Sequence, residues 1–309
     1  MRLGIIDIGS NTIKITVFKT EGEKLEEISS KTLHAKLSSH ICSGKLSEKG
    51  VSVLISSVNT LKRVARNFGC KKKNTFAFAT ACIRGASNQS YILDRLNKTA
   101  KIDVKLLSGD EEAELCFLGA ISSESCPKSG VLADLGGGSC EFIVFKNHLS
   151  ESKVSLNVGA LAMYKKFTSE KYISFDELED LSKYLKSEFS SRAQDIALPS
   201  CGEFIVTGGT ARAAASLLEK LAGKDALVLP KKIPLSAAKD LCEKVTSGEL
   251  ISVAEVTVKD RTQTLVPGLY VLINAAEKLS ADHFTVVSGG ARNGFASKIL
   301  SERKINNRK

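Results

Sequence analysis

Asp134-Leu135-Gly136-Gly137-Gly138-Ser139 follows the apolar run Val131-Leu132-Ala133 and precedes a second apolar run from Glu141 to Phe145. The flanking runs are short and rich in β-branched and aromatic residues, so the segment predicts two strands joined by a glycine turn, with an aspartate at the end of the first. The same device stands near the start of the chain. Leu3-Gly4-Ile5-Ile6 is apolar, Asp7-Ile8-Gly9-Ser10-Asn11-Thr12 has turn chemistry, and Ile13-Lys14-Ile15-Thr16-Val17-Phe18 alternates with period two. Two copies of strand, aspartate, glycine turn with hydroxyl and strand predict an α/β protein of duplicated domains facing each other across a cleft. Two further glycine turns, Thr207-Gly208-Gly209-Thr210 and Ser288-Gly289-Gly290, follow the strands predicted at Phe204–Val206 and Phe284–Val287, and each precedes a helix.

The chain between the two copies supports this pattern. Val51, Leu54, Ile55, Val58, Leu61, Val64, Ala65 and Phe68 recur at spacings of three and four, a helix that starts at Ser47 and stops at Gly69. A strand over Thr75–Thr80, a helix over Gln89–Ala100 and a strand over Val104–Leu107 come next. Ser108 and Glu111 then form a capping box that opens another helix. The domain boundary falls near residue 125, dividing 1–125 from 126–294, and the C-terminal helix over about 295–309 is expected to pack back on the first domain.

With 309 residues, 43% hydrophobic and 25% charged, the chain has room for two domains with real cores. Wholesale disorder, collagen and a disulfide miniprotein are excluded. Lys and Arg outnumber Asp and Glu by 44 to 34, a net charge of +10 that favours anionic partners. Aromatics at 6%, with no Trp, argue against nucleic acid held by base stacking. No signal peptide is expected before Asp7 and no apolar stretch is long enough to span a bilayer, so no membrane partner is expected. The eight cysteines contain no C-x-x-C pair, which makes free thiols in a reducing cytoplasm the expectation. Cys140 reads as a small packing residue. His34, His40, His148 and His283 show no ligand spacing.

A glycine turn after a buried strand lets backbone N–H groups approach phosphate oxygens, since no Cβ intervenes. The alternative is plain hairpin and strand–helix connection, which accounts for Gly289 and Gly290. Asp7 and Asp134 stand at strand ends, where a Mg²⁺ ion would compensate a buried carboxylate. Alternatively, each caps its own turn. Glu111 is accounted for by the capping box. Glu112 is then either a solvated first-turn acid that favours the helix dipole or a functional carboxylate. Arg84, after a strand, is a surface residue or a fork for phosphate oxygens.

Together these residues resemble the exopolyphosphatase/guanosine pentaphosphate phosphatase (Ppx/GppA) family in its short two-domain form. The resemblance rests on D-I-G-S-N-T at 7–12, T-A-C-I-R-G-A-S-N at 80–88, S-G-D-E-E-A at 108–113, D-L-G-G-G-S-C-E at 134–141, T-G-G-T at 207–210 and V-P-G at 266–268. It implies two duplicated actin-like ATPase (ribonuclease H-like) domains and hydrolysis of terminal phosphoryl groups of inorganic polyphosphate or guanosine pentaphosphate. Mg²⁺ or another divalent cation is implied as cofactor. By this correspondence Glu112 is the general base and Arg84 a phosphate clamp. Asp7 and Asp134 serve the metal. Gly9, Ser10, Asn11, Thr12, Gly136, Gly137, Gly138, Ser139, Gly208, Gly209 and Thr210 cradle phosphate, with Glu141 at the edge of the same site. A homodimer is compatible with the resemblance.

The chain departs from the family pattern at Ala162, where an arginine is usual, and in the shortened S-G-G-A-R-N-G at 288–294, which keeps Arg292. Two rival functions share these features. One is an ATP-dependent kinase of the same superfamily, and the other is a non-catalytic polyphosphate- or alarmone-binding protein. The runs Lys71-Lys72-Lys73 and Lys231-Lys232, and the tail with Arg303, Lys304, Arg308 and Lys309, read as solvated faces or a frayed end.

Overall fold

The structure, a computed structural model, describes residues 1–22, 24–122, 126–191, 202–224 and 226–306; the side chains of residue 260 and of 304–306 lie outside that description. The chain divides into two compact units, Met1–Gly119 with Ala291–Lys309, and Ala120–Gly290. The junction read near residue 125 falls outside the described residues, as do Cys201, Arg308, Lys309 and the side chain of Lys304. The first unit is therefore assembled from both ends of the chain, and the second from one continuous stretch.

Unit 1 is built on β1 (Arg2–Ile8), β2 (Ile13–Glu21), β3 (Lys24–Leu33), β4 (Thr75–Ala79) and β5 (Val104–Leu106), in the sheet order β3-β2-β1-β4-β5. The first three form an antiparallel meander; β4 lies parallel to β1, and β5 parallel to β4. Both faces of this sheet are covered, so β1 is apolar almost throughout. Ile6, Ile8, Ile13, Ile15 and Val17 pack under α1 (Glu48–Asn67). Leu3, Ile5, Phe18 and Phe78 pack with Leu115 of α4 (Gly109–Ile121) and with Ala296 and Ile299 of the C-terminal helix (Ala291–Asn306). The rings of Phe78 and Phe295 lie 5.2 Å apart.

Helix α1 begins as its sequence predicts, with the Ser47 hydroxyl accepting from the Gly50 amide at 3.2 Å. The helix predicted over 89–100 is only partly α-helical. After α2 (Ala81–Arg84), α3 covers Gln89–Arg95 and passes into a π-helical turn over Leu96–Ala100. There the Lys62 ammonium takes the Ala100 carbonyl, a contact from a distant helix that spacing along 89–100 does not contain. The basic tail also departs from the solvated reading at Arg303. Its guanidinium donates to the Lys73 carbonyl at 3.1 Å and lies over the Phe76 ring.

Unit 2 repeats the arrangement. β6 (Gly130–Leu135), β7 (Cys140–Lys146) and β8 (Leu149–Leu156) form the antiparallel meander, and β9 (Glu203–Gly208) runs parallel to β6. β10 (Lys231–Pro234) and β11 (His283–Val286) complete the order β8-β7-β6-β9-β11-β10. Its helices are α5 (Ala160–Phe167), α6 (Phe175–Ser191), α7 (Gly209–Leu221), α8 (Leu235–Thr246), α9 (Ile251–Val258) and α10 (Thr262–Lys278). The three-strand meander continued by parallel strands on the side of its first strand is thus present twice, as the repeated sequence device predicts. Lys231 does not lie on an open solvated face: with Lys224 it binds the Glu219 carboxylate, which is 5% exposed. Among the described residues no helix is long and apolar enough to cross a membrane, and the seven described cysteines are free.

Candidate functional site

In unit 1 the turn after β1 is closed by the Gly9 amide donating to the Thr12 carbonyl at 3.1 Å. The Lys36 and Ser38 amides hold the carbonyls of Asn11 and Ser10, at 2.8 and 3.0 Å, and Ser10 is buried. Asp7 is the register partner of Lys14 across the β1–β2 ladder, which puts an ammonium-bearing side chain on the same face of the sheet as the carboxylate. Alternation along β1 assigns that face to Leu3 and Ile5, the face covered by α4.

Helix α4 opens with the predicted capping box. The Ser108 amide donates to Glu111 Oε2 at 3.0 Å and the Glu111 amide to Ser108 Oγ at 3.1 Å. Lys105, 2.8 Å away, and then the Ser108 amide hold the Glu111 carboxyl below its usual range. Glu111 is therefore engaged locally. Glu112 turns the other way, and its side chain is only 12% exposed. Arg84 Nη1 donates to Glu112 Oε2 at 3.0 Å and to the Leu107 carbonyl at 2.8 Å. The reading of Glu112 as a solvated acid is thereby excluded. The Nη2 and Nε groups of Arg84 have no partner among the described residues, so three of its five N–H donors remain for a ligand.

In unit 2 the turn after β6 closes in the same way, with the Gly136 amide donating to the Ser139 carbonyl at 3.0 Å. Here the carbonyls of the turn are taken up by the N-terminus of α5. Ala160 N donates to Gly136 O at 3.0 Å, and Leu161 N and Ala162 N both donate to Gly137 O at 2.9 Å. This requires backbone to lie on backbone at Gly159, where a Cβ would stand 2.5 Å from Gly137 O and from Gly138 C. Ala162, at the position of the family's arginine, is thus in the first turn of a helix docked directly on the glycine turn.

Asp134 is the register partner of Glu141 across the β6–β7 ladder. Glu141 is 1% exposed and accepts from Ser155 Oγ at 2.7 Å; Ser139 is also buried. Burial above all, then the charges of Glu141 and Asp134, push the Cys140 thiol far up, so Cys140 is the inert packing residue its sequence suggests. Beside this turn, β9 delivers Gly208, with φ +111°, in register with Leu135, and α7 starts at Gly209 and Thr210. Thr207 donates to the Gly289 carbonyl at 2.8 Å and so ties in the last glycine turn.

The model of the Ppx/GppA phosphatase family matches residues 16–303. The chain belongs to this family. Exopolyphosphatase 1 of Mycobacterium tuberculosis is 31% identical over 163 residues, covering 52% of this chain and 47% of that protein. The guanosine-5'-triphosphate,3'-diphosphate pyrophosphatase of Pseudoalteromonas translucida is 23% identical over 303 residues, 96% of this chain and 59% of that protein. The chain thus spans about half the length of these curated relatives. Among solved structures, an exopolyphosphatase from Cytophaga hutchinsonii superposes with a TM-score of 0.83 at 19% identity, covering 98% of both chains. The Aquifex aeolicus member of the Ppx/GppA family gives 0.81 at 23% identity, again over 98% of both. These likenesses establish the fold, and both units carry the actin-like ATPase architecture expected of a Ppx/GppA protein.

The site residues read from sequence fall into two groups, one per unit. Glu112 and Arg84 are in contact in unit 1, which also carries Asp7 and residues 9–12. Asp134 and Glu141 are ladder partners in unit 2, next to residues 136–139 and 208–210. The two aspartates differ as metal ligands. Asp134 and Glu141 place two carboxylates on neighbouring strands, one of them fully buried, and oxygen donors suit Mg²⁺. Asp134 and Glu141 therefore fit the ion. Asp7 has the cationic Lys14 as its register partner. Among the described residues no group of three or more His, Cys, Asp or Glu side chains is placed to hold a metal.

Three further residues bear on the site. Arg261 lies against the first residue of α7: a Cβ at Gly209 would overlap its guanidinium. A helix N-terminus and a guanidinium together favour an anion. Arg292 carries a buried Nη1 with no partner among the described residues, a donor left for a ligand. Gly159 supports the turn in unit 2. Arg261 was missed because its contact with Gly209 is made across more than fifty residues of sequence. Gly159 lay within the segment read for Ala162, but nothing in its spacing showed the backbone it approaches.

Proposed function

We propose that this protein removes terminal phosphoryl groups from inorganic polyphosphate or guanosine pentaphosphate by Mg²⁺-dependent hydrolysis, with Glu112 as general base. The observation that carries the reading is the Arg84–Glu112 pair at 3.0 Å. A general base for water attack has to be aimed, and one Nη1 of Arg84 aims the Glu112 carboxylate while the rest of the guanidinium can fork onto phosphoryl oxygens. Charge on those oxygens grows where a cation already stands. With the Gly9 and Gly136 amides closing their own turns, the amides of Gly137 and Gly138, the hydroxyls of Ser10, Thr12 and Ser139, the Asn11 amide and the N-terminus of α7 at Gly208–Thr210 supply further donors for the phosphates.

Asp134 and Glu141 would hold Mg²⁺, which when bound supplies charge neutralisation on the phosphoryl oxygens. The free thiols agree with a reducing cytoplasm as the working compartment. Phosphate release measured across polyphosphate lengths, guanosine pentaphosphate and ATP tests the reading. Release without any acceptor is expected from at least one of the first two. Consumption of ATP only when an acceptor is added would replace the hydrolase with a kinase. Binding without turnover of every substrate would make the protein a sensor.

A further inference from the structure

Unit 1 carries a solvent-open surface cavity of about 720 Å³ lined by none of the residues assigned above. One wall is a single stripe of α1, where Ser52, Ser56, Asn59, Arg63 and Arg66 recur at intervals of three and four beside Lys62. The other wall is Arg95, which ends α3, and Thr99 in the π-helical turn. Four cationic side chains line the cavity and no carboxylate does.

Among the described residues only one of those four cations, Arg95, has a carboxylate partner. Lys62 donates to a backbone carbonyl, and burial, with the charges of Lys72 and Arg66, pushes its pKa down. Arg63 donates to the Thr60 hydroxyl at 3.2 Å, and the Arg66 guanidinium has no partner among the described residues. Arg95 reaches Glu48 at 3.5 Å and the Tyr91 hydroxyl at 2.5 Å. Positive charge therefore accumulates here, and Lys72, from a run first read as a solvated face, adds to it.

Guanidinium forks, an ammonium, hydroxyls and an amide are the donors that suit phosphate oxygens. Ile55 is the one apolar side chain in the lining, and no aromatic ring offers a platform for a base. The π-turn adds a second sign, because such widened turns concentrate at functional positions. We propose that this cavity is a second binding site for a chain of linked phosphates, separate from the hydrolytic residues, which recognises the inorganic chain rather than a nucleoside. It holds a polyanion by charge and phosphate oxygens alone, whether or not Glu112 is a base.

The test compares the protein with its Arg63→Ser/Arg66→Ser variant by titration calorimetry at several salt concentrations. The probe is a triphosphate whose bridging oxygens are replaced by methylene groups, so no turnover can consume it. Both arginines are exposed and Lys62 is left in place, so melting temperature is expected to hold. The unaltered protein should bind one more probe than the variant, or bind it about a hundredfold tighter at that site, roughly tenfold per arginine contact. Its salt slope should be steeper by roughly two. Ser56→Asp, which puts a negative charge into the cavity without removing a cation, should weaken the same site. Equal stoichiometry, affinity and slope in all three proteins would overturn the proposal. An adenosine carrying the same methylene-bridged triphosphate should bind no tighter than the inorganic probe. A tenfold gain from the nucleoside would overturn the inorganic assignment in favour of a nucleotide pocket. A protein that keeps this difference yet releases no phosphate from any substrate would break the hydrolase reading and leave the cavity standing.

Discussion

The turn after β1 and the turn after β6 are closed by the same hydrogen bond, Gly9 to Thr12 at 3.1 Å and Gly136 to Ser139 at 3.0 Å. Each follows an aspartate at a strand end, yet across the ladder Asp7 meets Lys14 while Asp134 meets Glu141. The backbone of the duplicated device has been kept and its charge has been reversed. This teaches that duplication supplied two turns with the same backbone closure, and that one position on each outgoing strand sets the charge opposite the aspartate. In the function proposed here, unit 1 provides the carboxylate for proton transfer and unit 2 the carboxylates for the metal.

The largest effect should come from neutralising the carboxylate assigned to unit 1. Glu112→Gln should lower turnover by roughly a hundredfold to ten-thousandfold with binding of a methylene-bridged triphosphate nearly intact. Glu111→Gln, its neighbour in the capping box, should lose at most about 1 kcal/mol of stability by chemical denaturation, with a smaller effect on rate. Equal losses of rate in the two variants would remove the distinction between them.

Gly159→Ala attacks the docking of α5 on the unit 2 turn, whose counterpart in unit 1 is made by the Lys36 and Ser38 amides. Its Cβ would press on Gly137 and Gly138, which should cost about 1–3 kcal/mol, read as a lower denaturant midpoint. An unchanged midpoint would mean that α5 can retreat from the turn without consequence.

Asp134→Asn and Asp7→Asn compare the two aspartates directly. The first should raise the Mg²⁺ concentration for half-maximal rate at least about tenfold and abolish thermal stabilisation by Mg²⁺; the second should change the metal requirement much less. Equal shifts would return Asp7 to the metal. Lys14→Glu, the smallest change, gives the first turn the charges of the second. Like charges directly opposite should destabilise the protein by roughly 0.2–1 kcal/mol, measured as a lower melting temperature. No loss, or any Mg²⁺-dependent gain, would show that the new pair has acquired a cation.

Most of the architecture was legible in the chain because the deciding features are local. Strand alternation, the Ser47 cap, the Ser108–Glu111 box and the repeated aspartate–glycine turn each lie within a few residues. The features that were not legible depend on contacts between distant segments. The π-turn at 96–100 meets Lys62, Arg261 lies on Gly209, and Glu112 is engaged by Arg84 rather than left to solvent. The capping box correctly separated Glu111 from Glu112, but only the fold shows what occupies the second carboxylate. The opposed charges at positions 14 and 141 were visible as letters, and became informative only once register paired them with the aspartates.

The return of the C-terminal helix to the sheet of unit 1 also bears on how the molecule is made. Ribosomes deliver residues in order, and the contiguous unit 2 is complete when residue 290 has emerged. The face of unit 1 that carries Leu3, Ile5, Phe18 and Phe78 still lacks Phe295, Ala296 and Ile299 at that moment. Unit 1, begun first, thus has all of its core residues available only after those of unit 2. Until the final helix arrives, a nascent chain carries an open apolar sheet face that chaperones can hold and that neighbouring chains on the same message can meet.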